Sequence, residues 1–164
     1  MHIPIKVDYG VRALIDLALH SEEGSVRSAE IARRNAIPES FLEQILHALA
    51  RHGLTQSQRG PQGGHSLAKD PSEISLGMVM QALGEMGSLV GCQYDLDRCL
   101  LAPSCAQRDV WLEVEEAIRS ILNGTTIADL VYRARAARAG PGPFRVPMYP
   151  AKELAAAASP SSPA

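Results

Sequence analysis

Three cysteines carry the most distinctive chemistry in the chain. Cys92, Cys99 and Cys105 form a C-x6-C-x5-C run. Thiolates are soft ligands, and several together suit zinc, copper(I) or iron–sulfur centres. The spacing is wider than the C-x2-C pairs of structural zinc sites. Three thiolates leave a four-ligand site one short. Structural thiols are the competing reading, because burial is the commonest fate of cysteine. The segment is polar, however, with Gly91, Asp95, Asp97, Arg98 and Pro103, which suits a loop better than a core. None of the five histidines, His2, His20, His47, His52 and His65, falls within it.

A second set of residues is spaced for a helix surface. Phe41, Leu42, Ile45, Leu46 and Leu49 lie on one face of a predicted helix from Glu39 to His52. Glu39, Ser40, Glu43, Gln44, His47 and Arg51 lie on the other. Such a face, taken alone, is usually just solvated. Here it is followed by a loop rich in turn residues, Arg59-Gly-Pro-Gln-Gly-Gly64. His47 lies on this face and His65 in the following segment.

The elements that must position these residues follow from periodicity and capping. Val7, Val11, Leu14, Ile15, Ala18 and Leu19 predict a helix over 6–20. Ser28 suits the cap of a short helix, AEIARR. Asn35-Ala36 makes a turn, and Pro38 opens the next helix, where a missing N–H costs nothing. Gly53 is a C-terminal stop. Leu54–Gln58 and His65–Lys69 read as short strands. Ser75 caps LGMVMQALGEM, a long helix runs over 106–123, and Thr126 caps a final helix to about Ala137. Helix, short helix, turn, helix and hairpin is the order of a winged helix-turn-helix. The expected fold is therefore mainly α, a winged helix-turn-helix with a long helix appended. The second helix of such a unit presents its polar face to the major groove. An arginine at the hairpin tip is drawn by the negative potential of a narrow minor groove. The expected divisions are a winged domain over 1–83, a cysteine loop over 84–105, two helices over 106–137 and a tail over 138–164. The tail holds six of the eleven prolines and ends AAAASPSSPA, a composition expected to stay mostly disordered.

Composition narrows the function. The chain has 164 residues, 46% hydrophobic and 21% charged, with a formal net charge of −2. This is a globular profile. Residues 76–124 are acidic, with three basic groups against seven acidic ones, whereas residues 1–75 are nearly balanced. An acidic total does not exclude DNA binding, because the location of charge decides it. No apolar run approaches the roughly 20 residues that span a bilayer, so no membrane partner is expected. No signal peptide is expected from the first residues. An odd number of cysteines argues against a disulfide framework and for a reducing, cytoplasmic setting. No nucleophile–base arrangement points to an enzyme. The glycines at 60–64 lack the G-x4-G-K-[ST] pattern and precede a strand rather than a helix.

The stretches VDYGVRALIDLAL (7–19), IPESFLEQIL (37–46) and GLTQSQRGPQGGHSL (53–67), together with the three cysteines, carry a resemblance. Over residues 1–135 the chain resembles the bacterial family of iron–sulfur transcription regulators that includes IscR, NsrR and RirA. The resemblance implies a homodimer that binds double-stranded DNA at a near-palindromic operator, as a repressor sensing redox, nitric oxide or iron status. It implies that Glu43 reads a base, flanked by Ser40 and Gln44, and that Arg59 enters the minor groove from a tip shared with Gly60 and Pro61. A carboxylate can accept from the cytosine N4 amino group. Arg33, Arg34 and Arg51 are placed for phosphates. The long helix would meet its twin through Trp111, Val114, Ile118 and Ile121.

The family holds its cluster on the cysteines at this point of the chain, which implies an iron–sulfur cluster on Cys92, Cys99 and Cys105. Members resembling IscR add a histidine three residues after the last cysteine. Arg108 stands there, and a guanidinium has no lone pair to give. The NsrR branch instead completes a four-iron cluster with an aspartate near the N-terminus of the partner subunit. Asp8 stands at the matching place, which favours a four-iron over a two-iron cluster. Asp8 also suits the start of a helix, where a carboxylate meets the dipole favourably. Asp109 and a small exogenous ligand are the other candidates. The alternative function is a cluster-free winged-helix repressor controlled by a partner protein, a metabolite or thiol oxidation.

Overall fold

The apolar stripe of the first segment forms α1 (Ile5–Leu19) in the computed structural model. The structure describes residues 3–60, 63–84 and 105–139. The proline-rich tail and most of the cysteine loop, with Cys92 and Cys99, lie outside the described residues, as does Pro61. After α1 come α2 (Ser28–Asn35), α3 (Glu39–Arg51), β1 (Thr55–Gln58), β2 (Gly64–Leu67), α4 (Leu76–Ala82), α5 (Arg108–Gly124) and α6 (Ile127–Ala139). This is a mainly helical, winged helix-turn-helix architecture. A first compact unit runs from Met1 to Val131, and the second begins at Tyr132, within α6.

The core of the first unit forms where α1, α2 and α3 meet. Leu14, Ile31, Leu42, Leu46 and Leu49 are completely buried there. Each such side chain contributes about 1.5–3 kcal/mol relative to exposure. Leu54, Ile74, Val79 and Ile127 extend the same core under the wing and α4. Gly10 explains how α1 approaches so closely. A Cβ at this position would lie 2.8 Å from Leu83 Cδ1, with Ile45 and Val79 behind it. A mid-helix glycine costs about 0.5–1 kcal/mol relative to alanine, and close packing of three elements offsets it.

An ion pair with a buried carboxylate braces the helix-turn-helix. Asp16 lies three positions after Ala13 on the inward face of α1, and its side chain is only 8% exposed. Arg34 of α2 grips it with Nε donating to Oδ1 at 2.9 Å and Nη2 donating to Oδ2 at 2.6 Å. The turn that follows α2 places Ala36 at φ 52°, in the left-handed region. Its neighbour Ile37 donates its N–H to the Ala32 carbonyl at 3.0 Å and is itself buried. The left-handed turn satisfies the end of α2 and starts α3 at a new angle.

Several ends differ from expectation for identifiable reasons. Leu54 does not start the first strand, because its N–H completes the end of α3 by donating to Leu49 O at 3.0 Å. The second strand stops at Leu67, because Asp70 captures the chain in a capping box with Ser72 and Glu73. Ser28 is not the cap of α2. Arg27 occupies that position without a side-chain cap bond, and α2 begins at Ser28 itself. The caps at Ser75 and Thr126 form as expected. Ser75 Oγ accepts from Met78 N at 3.2 Å, and Thr126 Oγ1 accepts from Asp129 N at 3.2 Å.

The wing is the antiparallel pair β1–β2, in the register Thr55↔Leu67, Gln56↔Ser66, Ser57↔His65 and Gln58↔Gly64. Val26, from the connection between α1 and α2, adds a third strand-like contact. It exchanges two backbone hydrogen bonds with His65, at 2.8 and 2.7 Å. Gly64 permits this, since a Cβ there would meet the Val26 carbonyl oxygen at 2.5 Å. At the other end, Ser75 and Thr126 form a bridge in which Leu76 N donates to Thr125 O and Ile127 N donates to Ile74 O, both at 2.9 Å. This ties the α5–α6 turn to the base of α4.

The two turn positions predict substitutions of opposite sign. Gly64→Ala forces backbone apart and is expected to destabilise by about 1–3 kcal/mol. Ala36→Gly relieves the left-handed strain and is expected to be neutral to stabilising, by up to about 1 kcal/mol. Urea unfolding of both variants checks the pair. Equal and small effects would contradict the backbone argument.

Candidate nucleic-acid interface and cysteine segment

α3 is amphipathic as its sequence requires. Leu42, Ile45, Leu46 and Leu49 are buried, whereas Ser40, Glu43, Gln44, His47 and Arg51 are exposed. Helical spacing aligns these polar residues in one stripe. Phe41 anchors the start of α3 by an edge-to-face contact with Tyr9 of α1, with ring centroids 5.9 Å apart. Arg33 is exposed on α2, and Arg59 and Gly60 are exposed at the wing tip. The wing turn closes with Gly63 N donating to Gly60 O at 2.8 Å. The structure thus brings Ser40, Glu43, Gln44 and Arg51 together on one helix, beside a wing that carries Arg59.

Arg34 is placed differently from a mobile phosphate contact. Its forked grip on Asp16 holds it as a brace inside the helix-turn-helix. The signal for this was present in the sequence: a carboxylate on the buried face of α1 requires a cation nearby.

Glu43 is not simply solvated. Ser28 Oγ, at the start of α2, donates to Glu43 Oε1 at 3.3 Å. His65 on β2 also feels the Glu43 carboxylate. Burial pushes the His65 imidazole below the ordinary value of 6.5, and the negative charge of Glu43 opposes that shift in part. His65 Nδ1 is buried without a hydrogen-bond partner.

Asp8 lies in the first turn of α1, where it pairs with Arg12 at 2.7 Å. Both side chains are about half exposed, and Arg12 also sits over the Tyr9 ring, 5.7 Å from its centre. Cys105 is a free, half-buried thiol. Its carbonyl accepts from Arg108 N at 3.2 Å, so the cysteine leads directly into the first turn of α5. Asp109 is exposed in the same turn. Along α5 runs an apolar face that this chain leaves open. Trp111 is 41% and Ile121 67% exposed, and Val110, Leu112 and Val114 are exposed with them. Ile118 is half-buried. None of the α5 residues is fully buried.

Comparison with known proteins gives this arrangement its relatives. A profile of the Rrf2 family, described as iron-dependent transcriptional regulator, matches residues 3–133. The chain belongs to the Rrf2 family. It is 40% identical over 131 residues to the HTH-type transcriptional regulator IscR of Serratia proteamaculans, covering 80% of this chain and 79% of that protein. Among solved structures it is similar to T. potens IscR, with a TM-score of 0.70 and 34% identity over 87% of this chain and 94% of that one. It is also similar to CymR, the global cysteine regulator of B. subtilis, with a TM-score of 0.69 and 31% identity over 81% and 98%. This Rrf2 protein is accordingly a DNA-binding transcriptional regulator and not an enzyme. No described helix is long and apolar enough to cross a membrane.

Sequence reasoning missed the Ser28–Glu43 bond and the Val26–His65 exchange. Ser28 was legible only as a cap, and a single bridge residue such as Val26 leaves no strand pattern.

The depressed His65 value has a thermodynamic consequence. The unfolded chain takes up a proton at this histidine before the folded chain does. Stability is therefore complete above 6.5 and falls as pH drops through the lower folded value. Urea midpoints measured from about pH 7.5 to about 5.5 are expected to fall less for His65→Gln than for the wild type. Identical pH dependence in the two proteins would contradict this assignment.

Proposed function

We propose that this Rrf2 regulator is a homodimeric repressor that reads a near-palindromic operator and responds to redox, nitric oxide or iron through an iron–sulfur cluster. The observation that carries the DNA-reading part is the exposed stripe Ser40, Glu43, Gln44 and Arg51 beside a wing fixed to the body. In this reading α3 enters the major groove, and Glu43 accepts a hydrogen bond from a cytosine amino group. Ser40 and Gln44 bracket it. Arg33 and Arg51 neutralise phosphates, which adds affinity without sequence preference. Arg34 supports the same surface from its fixed position against Asp16. Arg59, with Gly60 and Pro61, follows the minor groove.

The open apolar face of α5 supports the dimer. Trp111, Val114, Ile118 and Ile121 recur at helical spacing, and covering such a face against a second copy removes it from water. A dimer sets two recognition helices about 34 Å apart, one turn of DNA.

The described donors fit a cluster. Cys105 is free and stands at the head of the dimer helix. Asp8 offers a carboxylate whose present partner is an exposed i,i+4 arginine, an ion pair worth only about 0–1 kcal/mol. Exchanging it for a ligand role is therefore inexpensive. Arg108 cannot serve as the fourth ligand. Cys92, Cys99, Cys105 and the partner subunit's Asp8 would hold a four-iron cluster, and such a group supplies a centre that oxidation or nitric oxide can dismantle. The chain's own contribution is to connect one end of that site to the dimer helix and the other to the DNA-reading elements. Cys105 is continuous with α5, and Asp8 is on α1, which packs against α3. With a cluster bound, Asp8 would restrain α1, and without one Asp8 pairs with Arg12, which would give the two states a switch needs.

Protein purified without oxygen is expected to be coloured and to contain iron and acid-labile sulfide. Asp8→Ala is expected to alter its visible spectrum. An unaltered spectrum in Asp8→Ala removes Asp8 as ligand. A colourless protein without iron or sulfide that still binds its operator would contradict the cluster. It would support instead a cluster-free repressor controlled by a metabolite, a partner or thiol oxidation, the reading that the likeness to a cysteine regulator favours.

A further inference from the structure

Glu43 is held before any DNA is present. Its carboxylate sits on an exposed helix face, yet Oε1 already accepts a hydrogen bond from Ser28 Oγ at 3.3 Å. Ser28 is the first residue of α2. Two residues before it, Val26 exchanges backbone hydrogen bonds with His65. The hydroxyl that holds Glu43 is thus mounted on a segment that the wing itself fixes.

We propose that Ser28 is a positioning residue for base readout, which holds one oxygen of Glu43 so that the other is presented to the cytosine amino group. The proposal rests on the reading of α3 as the recognition helix. A glutamate side chain loses up to about 2 kcal/mol of rotamer freedom when it is immobilised. Fixing it in the free protein removes part of that cost from binding. It also fixes direction. A swinging carboxylate can shift to accept from neighbouring donors, whereas a tethered one accepts from one place. Discrimination between bases is the property that gains most.

His65 is the wing residue that these backbone bonds tie to Val26, and its Nδ1 is buried without a hydrogen-bond partner. Burial favours the uncharged imidazole, and the charge of Glu43 opposes that shift in part.

The test uses the full-length protein and an operator selected from a randomised duplex pool. Binding is measured to that operator and to its three substitutions at the position where Glu43→Ala changes the preference. The wild type is expected to prefer cytosine by roughly 10-fold or more. Ser28→Ala is expected to reduce that ratio about three- to ten-fold while affinity for unrelated DNA stays unchanged. Ser28→Thr, which keeps the hydroxyl, should retain most of the preference. Ser28→Ala combined with Glu43→Ala should discriminate no worse than Glu43→Ala alone. If Ser28→Ala weakens all four sequences equally, or none, while Glu43→Ala erases the preference, the proposal is overturned and base reading by Glu43 stands. If Glu43→Ala leaves every preference intact, base reading by Glu43 fails, and the positioning role of Ser28 fails with it. Alanine is a good helix former, and equal thermal midpoints for the serine variants confirm that folding is not what is being read.

Discussion

Two backbone hydrogen bonds between Val26 and His65 join the wing to the helix-turn-helix. A two-stranded wing is marginal on its own. Here it gains a third contact from the chain that runs from α1 into α2. Because α2 begins two residues beyond Val26, the same contact fixes where the helix-turn-helix starts. Because Gly64 adjoins His65 and has no Cβ, the Val26 segment approaches β2 closely enough to bond. The wing is thus joined through backbone to the segment that starts α2, and α2 packs against α3.

The rest of the first unit maintains that piece. Asp16 and Arg34 join α1 to α2 through a forked pair, and removing Arg34 would leave the buried Asp16 carboxylate without it. Gly10 lets α1 seat against α3 and α4. The bridge at Ser75 and Thr126 attaches the α5–α6 turn to the same body. α5 then runs from that attachment to Cys105. Its open apolar face suits a second copy, and its two ends suit a signal carried from the cysteine segment toward DNA.

The sequence made the element order and the two faces of α3 legible, because they depend on local periodicity. The caps at Ser75 and Thr126 were legible for the same reason. The use of Ser28 was not: a serine before a short helix reads as a cap, and only the three-dimensional return of α3 shows that it serves Glu43 instead. The bracing role of Arg34 was not legible, because its charge is visible in the sequence but its buried partner is 18 residues away. The Val26–His65 exchange spans nearly forty residues through backbone groups, which carry no side-chain signature. The three cysteines were legible as candidate ligands by type, whereas Asp8 was a candidate only through the family resemblance. Cys92 and Cys99 lie outside the described residues.

Hydroxyl-radical footprinting of the protein on a selected operator tests the central claim most directly, that α3 and the wing engage DNA as one fixed unit in each half of a dimer. The account predicts two protected half-sites about one helical turn apart, each with major-groove contacts and an adjoining protected minor groove. Arg59→Ala should remove the minor-groove protection and leave the half-site spacing unchanged. A single unpaired footprint, or minor-groove protection that survives Arg59→Ala, would contradict it.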